Sequence, residues 1–130
     1  MIQQQYLAQW HDNFVEYIRQ LLAFVEGYML LPQATEENKI ELEKVRVILK
    51  GKDVEEIDNN LADGSKSGVL KKGTLEKIVK LDKDLVDFAL ERISTNQLWK
   101  EFLKLLSNTQ RERAKDATIT RLNELNILVI

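Results

Sequence analysis

The chain has 130 residues, 44% of them hydrophobic and 31% charged, with a formal net charge of −2. That size and apolar share suit one domain that buries a real core without covalent staples. The absence of cysteine excludes a disulfide framework, thiolate chemistry and Cys-type zinc sites, and fits a reducing cytoplasm.

Five glycines and one proline are too few for an all-β chain with many turns, so an all-α class is expected. Residues 2–31 read as one long helix. Leu7, Trp10, Phe14, Tyr17, Leu21, Phe24, Tyr28 and Leu31 recur at alternating spacings of three and four, which is a heptad seam. Ile18, Leu22, Val25 and Met29 widen the stripe. After Leu21 the segment is apolar nearly all round, so its second half is predicted to be buried on several sides. Thirty residues at 1.5 Å give about 45 Å, longer than the roughly 35 Å diameter of a compact globule this size. The helix therefore bends, runs the length of an elongated bundle, or carries a partner at one end. The apolar run from Leu21 to Leu31 is too short to span a bilayer, and Met1-Ile2-Gln3-Gln4-Gln5 lacks a basic leader region. A soluble, cytoplasmic protein is expected.

Pro32 stops the first helix. Thr35 caps a second over 36–50, with Glu36 and Glu37 at its positive dipole end. Ile40, Leu42, Val45, Ile48 and Leu49 are assigned to its buried side, and Gly51 to its C-terminal stop. Asp53-Val54-Glu55-Glu56 has capping-box form and opens a short third helix with Val54, Ile57 and Leu61 on one face. Asp63-Gly64-Ser65-Lys66-Ser67-Gly68 reads as a loop. Residues 63–73 thus divide a single domain, 1–130, into two halves; a small hairpin at Val69 to Leu75 is an alternative for part of that segment.

Gly73-Thr74 then opens a helix to about Ile93, with a seam of Ile78, Leu81, Leu85 and either Phe88 or Ala89; Asp82 is a second candidate start. Ser94-Thr95-Asn96-Gln97 caps a further helix carrying Leu98, Trp99, Phe102, Leu103, Leu105 and Leu106. Thr109-Gln110-Arg111-Glu112 repeats the signature, so the segment 96–125 is either continuous or broken at Ser107-Asn108. Ala114, Ala117 or Thr118, Leu122 and Leu125 form a weaker stripe. Asn126 suits a left-handed stop before the apolar tail Ile127-Leu128-Val129-Ile130. The sum is an antiparallel bundle of about five helices.

Little in the sequence carries catalytic chemistry. His11, the single histidine, sits five residues from Glu16, a spacing that does not share a metal between helix turns. The pairs Glu36/Glu37 and Glu55/Glu56 fall in first helical turns, where carboxylates serve capping and dipole. Gly64-Ser-Lys-Ser-Gly68 lacks the phosphate-loop pattern and follows no strand. No enzyme, metal or cofactor is expected.

Aromatics and charge are more informative. Six of the nine aromatic residues lie on the first helix, and Tyr6, Trp10, Phe14 and Tyr17, three of them with polar-tipped rings, are a candidate protein interface as well as a candidate core stripe. Residues 1–64 hold 6 Lys/Arg against 12 Asp/Glu, whereas residues 65–130 hold 13 against 9. The halves can attract each other within the fold, associate head-to-tail between copies, or present a basic face to a nucleic-acid backbone. Lys71, Lys72, Lys100, Lys104, Arg111, Arg113 and Lys115 are the candidate backbone contacts.

Two resemblances bear on function. The segment Asp116-Ala117-Thr118-Ile119-Thr120-Arg121-Leu122-Asn123-Glu124-Leu125-Asn126-Ile127-Leu128 looks like the recognition helix and following strand of winged-helix DNA-binding domains, although Val129 and Ile130 alone are too short for a normal wing. That resemblance implies DNA binding by residues 109–130. In architecture alone, a small all-helical chain with one basic surface is similar to the small subunits of CRISPR effector complexes. That resemblance implies a non-catalytic accessory subunit lining a nucleic-acid path beside other protein subunits; no motif transfers individual residues. The rival expectation is a protein-binding regulator, inhibitor or immunity-type module that uses the aromatic face of the first helix.

Overall fold

The computed structural model describes residues 1–114 and 119–130, with side chains described at 1–108 and 120–130. Among the described residues, five helices of 14 residues or more and one short helix build the fold: α1 (Ile2–Met29), α2 (Glu36–Leu49), α3 (Lys52–Ser67), α4 (Lys72–Leu90), α5 (Gln97–Ala114) and α6 (Ile119–Glu124). Two two-residue strands, β1 (Val69–Leu70) and β2 (Leu128–Val129), complete it. No helix among the described residues is long and apolar enough to cross a membrane.

α1 is the axis of the bundle. Its heptad seam packs most extensively on α3 and next on α2. It runs antiparallel to α3: Gln4 Nε2 donates to the Lys66 carbonyl near one end, and His11 Nε2 lies 2.7 Å from Asp58 Oδ1 further along. The Phe24 and Phe102 rings, 5.7 Å apart, join its second half to α5. Burial is heavier in the first half than the hydropathy run implies. Tyr6, Leu7, Trp10, Phe14, Tyr17 and Ile18 are all buried, whereas beyond Ile18 only Leu21 and Val25 are. Phe24, Tyr28 and Met29 are partly buried and Leu30 is exposed. Neighbours decide this, not composition: α3 runs along the first half, whereas Phe24, Tyr28 and Met29 pack against the edge of the core and stay partly buried.

α2 behaves as capped. Thr35 Oγ1 accepts the Asn38 backbone N–H at 3.1 Å. Ile40 is an exception to its predicted buried side. At 100° per residue it falls about 175° from the centre of Leu42, Val45 and Leu49, so it faces outward. Gly51 follows the C-cap Lys50 of α2 as expected, but with a φ of −82° and not in the left-handed region; it is also the N-cap of α3, which starts before the predicted capping box at Asp53.

The predicted loop at 63–68 is a correction. α3 continues through it to Ser67 and stops at Gly68, whose φ of +76° is the left-handed value that favours glycine. Gly64 is not a breaker here. A Cβ on it would lie 3.0 Å from the Val69 carbonyl oxygen and 3.3 Å from Leu7 Cδ1, so its bare backbone lets β1 and α1 cross α3 closely. The hairpin at 69–75 is likewise absent. Val69 and Leu70 pair in parallel with Leu128 and Val129, and the ladder is extended by Ile130 N–H to the Leu70 carbonyl at 2.9 Å.

α4 buries Thr74, Ile78, Leu81, Leu85 and Ala89, so Ala89 takes the last seam position and Phe88 is partly buried. Asp82 is inside that helix and accepts a 3.0 Å hydrogen bond from Tyr17 Oη. At the next start, Asn96 Oδ1 accepts the Leu98 N–H at 3.1 Å. Trp99 stands edge-on to both Phe88 and Phe102 and is 1% exposed. Asn126 adopts the expected left-handed conformation with φ 58°. The Thr109 capping signature and the Ala114 to Thr118 stripe fall outside the described side chains. In the winged-helix-like segment, the described part is the six-residue α6 followed by β2, which pairs with β1.

Candidate nucleic-acid interface

Charge pairing within the chain decides which cations are available to a ligand. Lys77 Nζ lies 3.1 Å from Glu56 and 3.5 Å from Asp53, and those carboxylates, Glu56 foremost, hold its ammonium above the ordinary lysine range. Lys83 is paired with Asp87 at 2.6 Å, with the same effect on its pKa. Lys80 lies 3.8 Å from Asp84, Arg92 2.6 Å from Glu41, and Arg121 3.1 Å from Glu124. Two of these links, Lys77 to α3 and Arg92 to α2, join the acidic half to the basic half. Part of the charge asymmetry is therefore consumed inside the fold.

Among the described side chains of the basic half, the cations left over are Lys66, Lys71, Lys72, Lys100 and Lys104. All five are exposed, and none makes an ion pair among the described residues. Four of them are sequence-predicted contacts. Lys66 is not among those; it sits on the last turn of α3, where the sequence suggests a loop. There α3, β1 and the start of α4 turn a tight corner, with Lys71 as the N-cap of α4 and Lys72 its first residue. The β1–β2 pairing fixes this corner: the Lys72 N–H donates to the Ile130 carbonyl at 2.6 Å.

Lys100 and Lys104 form a second group, one helical turn apart on one flank of α5. They do not join the first. α4 has 19 residues, about 28 Å of helix, and the Phe88–Trp99 contact at 5.5 Å places the start of α5 at its far end. The arrangement is two basic points at opposite ends of α4, not one continuous patch. The side chains of Arg111 and Arg113, and all of Lys115, lie outside the described residues.

The candidate protein interface is corrected by burial. Tyr6, Trp10, Phe14 and Tyr17 are 8%, 1%, 1% and 2% exposed. They are core side chains under α3 and its neighbours, and none offers a surface to a partner. Arg121 lies over the Tyr6 ring, 6.0 Å from its centroid.

Three other titratable side chains are held structurally. His11 is half-buried against Asp58. Glu16 is hydrogen-bonded by Arg19 and Gln20, which hold it below the usual carboxylate range. Burial pushes Glu41 up, but hydrogen bonds from Lys44 and Arg92 outweigh it and the net shift is downward. No group of three His, Cys, Asp or Glu side chains converges as a metal site among the described residues.

Comparison with known protein families, curated proteins and solved structures finds no match to this chain.

Proposed function

We infer that this chain is a non-catalytic helical accessory subunit that contacts a nucleic-acid backbone and works beside other protein subunits. The observation that carries this reading is the separation of its cations. Acidic neighbours neutralise Lys77, Lys80, Lys83, Arg92 and Arg121, while Lys66, Lys71, Lys72, Lys100 and Lys104 are exposed and make no ion pair among the described residues. Lysines are compact point charges suited to phosphates, and contacts of this kind position a ligand without reading its sequence. The two groups lie toward opposite ends of α4, a helix about 28 Å long, so they meet separate stretches of a nucleic-acid backbone. An accessory subunit of the CRISPR small-subunit type is the assembly role that suits such a surface.

The test is binding of labelled single-stranded and duplex oligonucleotides of unrelated sequence to wild type and to a Lys71/Lys72/Lys100/Lys104→Glu variant. The proposal expects weak binding that ignores sequence and is lost in the variant. Equal binding by both proteins, or none by wild type alone and in any complex that co-purifies, rejects it.

The rival reading, a protein-binding regulator, no longer has the aromatic stripe to use. What favours it is a different surface, the outward face of α2, where Ile40 and Val47 are exposed.

A further inference from the structure

Ile40 is 59% and Val47 61% exposed. Seven residues apart, they lie nearly in line on the outer side of α2. They line an open groove of about 430 Å³ with Met29, Lys39, Glu43 and Lys44. Single exposed apolar side chains are ordinary, but two in register over a groove form a surface suited to a partner helix.

The charges of α2 indicate which helix. Glu36 and Glu37 occupy its first turn, and Lys50 and Lys52 follow its last. Glu37 and Lys50 are both exposed and make no ion pair among the described residues. A twofold axis between Glu43 and Lys44, perpendicular to α2, sets Ile40 against the second copy's Val47 and Val47 against its Ile40. The same axis brings Glu37 to the second copy's Lys50, twice. On the helix surface Glu37 and Lys50 lie on opposite flanks of the Ile40–Val47 line, so they meet when the two helices cross obliquely, as packed helices commonly do. The groups at the axis are already compensated within each chain: Glu43 by Arg46 at 3.1 Å and Lys44 by Glu41 at 3.1 Å. A parallel pairing would oppose Glu37 to Glu37 and Lys50 to Lys50, and would align the helix dipoles unfavourably.

We propose that α2 is a self-association surface that joins two copies of this chain as an antiparallel, isologous dimer through Ile40, Val47, Glu37 and Lys50. This reading is independent of nucleic-acid binding, since α2 carries none of the free lysines assigned to it. One oblique helix pair buries an area at the low end of specific interfaces, under about 1,200 Å² in total, so the dimer is weak and forms in concentrated solution.

The test is sedimentation equilibrium of the full chain from about 10 µM to about 1 mM, with circular dichroism confirming the fold of each variant. Wild type should approach a dimer over that range, and Val47→Asp should stay monomeric. Glu37→Lys should weaken the dimer at least about tenfold by opposing two lysines. Adding Lys50→Glu to it should restore the wild-type constant. Monomeric wild type throughout overturns the proposal and leaves the α2 face to a different protein. A Glu37→Lys/Lys50→Glu protein no tighter than Glu37→Lys also overturns it, because the antiparallel register predicts rescue.

Discussion

Arg92 Nε donates to Glu41 Oε2 at 2.6 Å, and its Nη1 donates to the Phe88 carbonyl at 2.8 Å while the guanidinium lies 3.5 Å from the Phe88 ring centroid. One side chain thus ties α2 to the end of α4. Both partners are 21% exposed, so the pair is shielded more than a surface ion pair. Replacing Arg92 with Met should cost about 1.5 to 3 kcal/mol, the range for hydrogen bonds to charged groups, in denaturant unfolding.

The same pair sets an acid limit on stability. Glu41 has its folded pKa below the ordinary value of 4.5. A carboxylate with a depressed folded pKa contributes stability that is complete above its unfolded pKa and is lost as pH falls through the folded one. Between neutral pH and pH 4.5 its contribution should stay constant; below pH 4.5 wild type should lose more stability than Glu41→Gln, in which this contribution is absent. Parallel pH-dependent loss in the two proteins would show that the pair has no such role.

Gly64 predicts a steric failure. A Cβ 3.0 Å from the Val69 carbonyl oxygen requires main chain to shift, not just a flexible side-chain end. Gly64→Ala should destabilise by about 1 to 3 kcal/mol despite alanine's better helix propensity, as overpacked core sites do. A gain in thermal stability would mean that β1 does not cross α3 as described.

Thr74 predicts the opposite sign. It is fully buried, and its Oγ1 has no hydrogen-bond partner among the described residues. Thr74→Val keeps the shape and removes an unsatisfied hydroxyl, so its unfolding free energy should be unchanged or higher.

The helices were legible in the sequence because their signals are local. Thr35, Asn96 and Asn126 act at the predicted helix boundaries, and Leu42, Val45, Ile78, Leu81 and Leu85 are buried as their spacing implies. What failed depended on distant partners. Gly64 reads as a loop residue until Leu7 and Val69 are seen to need the space. β1 has two residues, and its partner lies 59 positions away, a pairing no local pattern reports. The aromatic stripe of α1 was consistent with core or interface, and only the arrival of α3 over it decides for core. The basic site was half legible: the Lys80–Asp84 and Lys83–Asp87 pairs are local i,i+4 contacts, but the pairing of Lys77 with Asp53 and Glu56 depends on where α3 falls in space, and the helical placement of Lys66 depends on α3 running on through the expected loop.

The most direct test of the proposed function is the salt dependence of oligonucleotide binding. Each phosphate neutralised by a lysine releases condensed counterion, so the logarithm of the association constant should fall linearly with that of salt, at about −0.9 per contact on duplex. If three or four of the free lysines touch one duplex, the slope should be about −3 to −4 for wild type and near zero for the Lys71/Lys72/Lys100/Lys104→Glu variant. Undetectable wild-type binding at low salt, or a slope that the four substitutions leave unchanged, would contradict the account.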